Sequence, residues 1–125
     1  MPRLISIARE KGVSAYVGEG RNRWPGVRRL DAGRLYRLAL GRGVEGGPFH
    51  AVADEGVPFR AIARRLDIPL ASKSPEEAIE HFGFLGRFAS ADAPASSART
   101  RAQLDWQPQQ PGLLADIDHL AYFAA

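Results

Sequence analysis

The stretch Val17-Gly18-Glu19-Gly20-Arg21-Asn22-Arg23-Trp24-Pro25-Gly26-Val27-Arg28-Arg29-Leu30-Asp31 decides how the chain is read. Just before it, Val13, Ala15 and Val17 alternate with Ser14 and Tyr16, which is the two-residue period of a strand. Glycines 18 and 20 with Asn22 mark a loop, and Trp24-Pro25-Gly26 continues it into a short extended piece over 27–30. Asp31 then suits the N-cap of a helix, because a carboxylate accepts the free N–H groups of a first helical turn. Arg21, Arg23, Arg28 and Arg29, with an amide and an indole among them, offer forked donors and a stacking surface for a phosphate or a polar ligand.

Working outward, Leu4, Ile7 and Ala8 share one face of a helix over 2–11, which Lys11-Gly12 stops. The helix after Asp31 has Leu35, Leu38 and Ala39 on its apolar face and ends in Gly41-Arg42-Gly43. Phe49 to Ala53 reads as a second strand, and Pro58 opens a helix with Phe59, Ile62, Ala63 and Leu66 at i, i+3, i+4 and i+7. Ser74-Pro75-Glu76-Glu77 spells a capping box, with Ala78, Ile79 and Phe82 facing inward behind it. Phe84 to Phe88 makes a further helical turn before the small-residue loop over 89–95. Ser96 or Ser97 caps a helix ending near Leu104, and Pro111 opens the last one, with Leu114, Ile117 and Ala121 on one face. The outcome is a helix-rich α/β or α+β chain with few, short strands, read as one domain over 1–125.

Composition narrows the function classes. The 125 residues are 45% apolar and 25% charged, inside the globular range. No apolar run reaches membrane-spanning length, and Met1-Pro2-Arg3-Leu4 lacks the pattern of a secretory signal, so a soluble, cytoplasmic protein is expected. The absence of cysteine excludes disulfides and thiolate chemistry. The net charge of +3 is unevenly spread: residues 1–42 carry a net +7 and residues 43–125 a net −4. Such asymmetry marks an anion-binding face, an interface, or simply a solvated surface. One basic loop with one aromatic and no RNA- or DNA-binding motif does not make a nucleic-acid binder.

The catalytic patterns fail on context. Gly41-Arg42-Gly43-Val44-Glu45-Gly46 matches G-x-G-x-x-G, but a dinucleotide loop needs a strand before it and a helix after it, and here a helix precedes. No tyrosine has a lysine four residues on: Tyr16 is followed by Gly20, Tyr36 by Leu40, and Tyr122 by the chain end. His50, His81 and His119 are too scattered for metal-ligand spacing, and Ser96-Ser97 fits no nucleophile elbow.

Several segments in order resemble the substrate-side, C-terminal portion of NAD(P)-dependent epimerase/dehydratases of the extended or atypical short-chain dehydrogenase/reductase family. These are Val17 to Pro25 leading into Arg28-Arg29-Leu30-Asp31-Ala32 and Arg34-Leu35-Tyr36, then Phe49 to Ala53 with Pro58 to Ala63. Ser97 to Pro108 is similar to that family's terminal helix and Leu-Gly-Trp-x-Pro turn, and Pro111 to Leu114 with Tyr122 to its tail. Three positions depart: Arg28 stands where many members have histidine, Asp105 replaces the turn glycine, and the 62–69 segment is shorter by about one helical turn.

The resemblance implies a Rossmann-type setting in which this region shapes the substrate pocket, while the dinucleotide loop and Tyr/Lys pair lie elsewhere. It implies Asn22, Arg23, Trp24 and Arg28 as pocket-lining residues for a small polar substrate, with no catalytic residue, no metal, and no cofactor bound by this chain alone, although NAD(P) belongs to the family. A truncated enzyme, a split enzyme with a separate catalytic chain, and a non-enzymatic binding or dimerising module derived from that domain all remain open.

Overall fold

Leu4, Ile5, Ile7 and Ala8 are all buried on α1 (Pro2–Lys11), the first element of a computed structural model that describes residues 1–43 and 45–118. Arg9 and Lys11 complement the carbonyl end of that helix, and Gly12 at φ 64° closes it in the left-handed conformation that glycine adopts without cost. β1 (Ser14–Val17) follows. Its two faces are not divided into inside and outside as alternation predicts, since both Ser14 and Ala15 are buried. Ser14 is accommodated because its hydroxyl donates to the Ala63 carbonyl at 2.9 Å.

The remaining elements are β2 (Arg23–Gly26), α2 (Arg29–Arg42), β3 (Asp54–Pro58), α3 (Phe59–Arg64), β4 (Leu70–Lys73), α4 (Pro75–Phe82), α5 (Gly86–Ser90), α6 (Ala98–Leu104) and α7 (Leu113–Ile117). A 3₁₀ turn at Gly83–Leu85 joins α4 to α5. β1 and β4 form a parallel pair, with Ser14 opposite Leu70 and Val17 opposite Lys73. β2 and β3 form a separate antiparallel pair with a register shift between Trp24 and Gly26. The chain is a mixed α/β fold.

Three apolar clusters hold these pieces. Leu4 and Ile7 of α1 meet Ala15, Phe59, Ala78, Phe82 and Ala89, so α1, α3, α4 and α5 converge on β1. Ile5 and Ala8, on the neighbouring stripe of α1, meet Val57, Ile62, Leu66 and Ile117. Leu35 and Ala39 of α2 pack on Leu104 and the fully buried Trp106.

Several expectations are corrected. Trp24-Pro25-Gly26 is strand rather than loop, because β3 offers it a partner that no local signal reveals. Phe49 to Ala53 is irregular, and the strand begins after it at Asp54. β4 had no clear sequence signature: Leu70-Ala71-Ser72-Lys73 is neither β-branched nor regularly alternating. Asp31 lies inside the first turn of α2, whose N-cap is Arg28. Ile79 is half exposed, whereas Ala78 and Phe82 are buried as expected. The last helix starts at Leu113, two residues after Pro111. Ala121 and Tyr122, with His119, lie outside the described residues. The Ser74 capping box is present in full: Glu77 N–H donates to Ser74 Oγ at 3.2 Å and Ser74 N–H to Glu77 Oε2 at 2.8 Å.

Candidate functional site

The loop that leaves β1 is folded back against α3. Gly20 takes φ 67°, and a Cβ built on it would lie 2.6 Å from the Cβ of Arg60 and 2.8 Å from the Tyr16 ring, so only glycine fits. Two main-chain bonds seal the contact: Phe59 N–H donates to the Asn22 carbonyl at 2.8 Å and Arg60 N–H to the Gly20 carbonyl at 3.0 Å. No side chain caps α3, so the loop carbonyls take the donors that the first turn of a helix leaves unpaired.

The structure brings Asn22, Arg23 and Trp24 together, but on a segment of the chain itself. Asn22 Nδ2 donates to the carbonyls of Ala89 and Ala91 at 2.9 and 3.1 Å. Arg23 grips Asp92 through its backbone N–H (2.7 Å), Nε (3.0 Å) and Nη2 (2.8 Å). That fork drives the Asp92 carboxyl down to about 2, side-chain hydrogen bonding being the largest cause. Trp24 Nε1 donates to the Phe88 carbonyl at 3.0 Å, and its ring meets Phe59 edge-on at 4.9 Å. Arg28 is apart from this group, paired with Asp116 of α7 at 3.1 Å.

All four side chains meet partners in the chain itself, and Arg23 and Trp24 also line concavities of the surface. These side chains clamp 88–93 and α7 onto the β2 region, and the donors assigned to a ligand already have partners within the chain. What stays open is the shape they create. Trp24, Pro25, Leu85, Phe88, Ala91 and Ala93 line a mainly apolar recess of about 380 Å³, with Phe84 and Phe88 strongly exposed nearby in sequence.

A second concavity of about 540 Å³ lies beside the 18–22 loop and includes Arg21, Arg23, Arg60, Arg64 and Arg65 in its lining. Sequence reasoning missed the contribution of α3. The signal was there: with Phe59, Ile62 and Ala63 assigned inward, Arg60 and Arg64 fall at i, i+4 on the opposite side.

Asp31 has a different role from the one its position suggested. It is fully buried, and its two carboxylate oxygens accept from the Gln109 and Gln110 amides at 2.9 Å each. Its main-chain carbonyl accepts from Trp106 Nε1 at 3.0 Å. The residue fastens the segment after α6 to the start of α2.

Gly41 and Arg42 sit in the last turn of α2, Gly43 ends it, and Val44 lies outside the described residues. A helix precedes this glycine run and no helix N-terminus follows it, so these residues do not fit a dinucleotide diphosphate. Among the described residues no group of three or more acidic, histidine or cysteine side chains is placed to hold a metal ion, and no helix is long and apolar enough to cross a membrane.

No family model matches the chain, and no solved structure matches it. Two curated proteins are similar. The uncharacterized protein C2A9.02 of Schizosaccharomyces pombe is 50% identical over 127 residues, covering 98% of this chain and 43% of that protein. The uncharacterized protein YLL056C of Saccharomyces cerevisiae is 48% identical over 121 residues, covering 94% of this chain and 41% of its own length. The chain thus spans less than half the length of the curated relatives it matches.

Proposed function

We propose that this chain is the substrate-side portion of an NAD(P)-dependent epimerase/dehydratase of the extended or atypical short-chain type, and that cofactor binding and proton transfer belong to another polypeptide segment. The observation that carries this reading is the β1–β4 pair. Parallel strands occur almost entirely in larger sheets covered by helices on both faces, and a two-stranded pair is marginal alone. Here two parallel strands carry four helices on β1, and no third strand is paired with them among the described residues. Such a pair is what the late edge of a Rossmann-type sheet looks like when taken by itself.

The greater length of the two relatives leaves room for the rest of that sheet. Within this chain the apolar recess beside Trp24 is the part that would shape a pocket for a small polar substrate, with its walls held by the Asn22 and Arg23 clamps. NAD(P) supplies hydride chemistry in such enzymes, and on this reading it is held by another polypeptide segment.

The experiment compares two proteins. Full-length C2A9.02 is titrated calorimetrically with NADH and NADPH, and this chain is titrated beside it. The reading predicts stoichiometric binding of one cofactor by the relative and none at micromolar affinity by this chain. A relative that binds neither contradicts the family reading, and tight binding by this chain contradicts the division of labour.

A second reading, a dimerising module built from the same domain, is favoured by the exposure of Phe84 (78%) and Phe88 (58%). Light scattering separates the two: a stable dimer of this chain supports the module, and a monomer contradicts it.

A further inference from the structure

We infer that the arginine face of α3, together with the 18–22 loop, is a binding cleft for a small phosphorylated molecule, separate from the recess beside Trp24. α3 is sharply two-sided: Phe59, Ile62 and Ala63 are buried, while Arg60, Arg64 and the following Arg65 are exposed. Arg21 and Arg23 also line the cleft, and among the described residues of its lining Glu19 alone is acidic.

The arginines are not equivalent. Arg21 pairs with Glu19 at 3.1 Å, Arg23 with Asp92 at 2.8 Å and Arg65 with Asp118 at 2.6 Å. Arg60 lies 5.3 Å from the centroid of the Tyr16 ring, a contact that holds the guanidinium in place without neutralising it. Among the described residues no carboxylate pairs with Arg60 or Arg64. Like charges four residues apart on one helix repel, so this pair costs the isolated fold something and is relieved by a bound anion.

Two guanidiniums with no carboxylate partner among the described residues match the charge of a phosphoryl dianion, and their planar forks match its oxygens. The three ion-paired arginines give walls that are already set. Gly20 lets the loop approach Arg60 so closely that the two walls meet at one end. The volume of about 540 Å³ lies within the range of small-molecule sites, and Ala61 and Leu114 give the organic part of a ligand apolar surface.

The test is a titration of the chain with inorganic pyrophosphate at fixed ionic strength, followed by amide chemical shifts. The probe carries no nicotinamide or sugar, so its result stands apart from the cofactor experiment. Saturable shifts are expected at Gly20, Arg21, Ala61 and Arg64, with a Kd of about 1 mM or tighter. Arg60→Gln with Arg64→Gln weakens binding by at least about tenfold, while Arg37→Gln, an exposed arginine of α2, leaves it unchanged. Shifts that never saturate or spread evenly over exposed arginines overturn the inference, as does a double variant that binds like the parent. Should the double variant not fold, Arg64→Gln alone decides: weaker binding supports the cleft, and unchanged binding overturns it.

Discussion

At Gly20 a single hydrogen atom in place of a methyl group decides whether the loop after β1 can reach α3. Gly20→Ala would combine a left-handed backbone with overlap at the Cβ of Arg60 and the ring of Tyr16. The expected loss is about 2–3 kcal/mol, read from the urea midpoint, because strain at positive φ and forced overlap both contribute. Asp92 gives a second prediction at this scale. Its carboxyl titrates near 2 in the folded chain against an ordinary 3.8. A depressed folded value means that its contribution is complete above about pH 4 and fades as the pH falls towards 2. Asp92→Asn removes that contribution, so its stability should fall less steeply over this window than that of the parent. Glu77, also held low by the Ser74 backbone N–H, keeps a residual slope in both proteins. Identical acid profiles for the two would contradict the Arg23–Asp92 clamp.

Among the elements, the ones legible in the sequence were those whose signals are local. α1 could be read because its apolar stripe and Gly12 stop lie within one stretch, and α4 because Ser74 and Glu77 are three residues apart. α3 could be read by the spacing of Phe59, Ile62, Ala63 and Leu66. β2, β3 and β4 could not, since each is a strand only through a partner distant in the chain, and Trp24-Pro25-Gly26 carries turn residues. Asp31 shows the same limit at the site: its type and neighbourhood suggested a cap, yet its acceptors meet amides almost eighty residues away. The intrachain partners of Asn22, Arg23 and Trp24 were illegible for a related reason, because they lie on 88–92, remote in sequence. Asp31→Ala should therefore loosen the contact between α2 and the segment after α6, at about 2–3 kcal/mol, since two partly buried amides lose a charged acceptor. Trp106 fluorescence reports it, through earlier exposure of the buried indole in denaturant.

For the whole molecule, the deciding element is β1, which pairs with β4 on one side only among the described residues. Ser14 and Gly18 donate to Pro69 and Lys73, and the alternation of a parallel ladder sends Tyr16 the same way. The amides of Ala15 and Val17 then point to the other side, where no described residue accepts them. The apolar cluster around Ala15 would keep that edge in place while its backbone waits for a further strand. Residue-resolved hydrogen exchange on the isolated chain measures this directly. Ser14, Tyr16 and Gly18 are expected to be protected while Ala15 and Val17 exchange much faster, and equal protection across all five would contradict an open edge on β1.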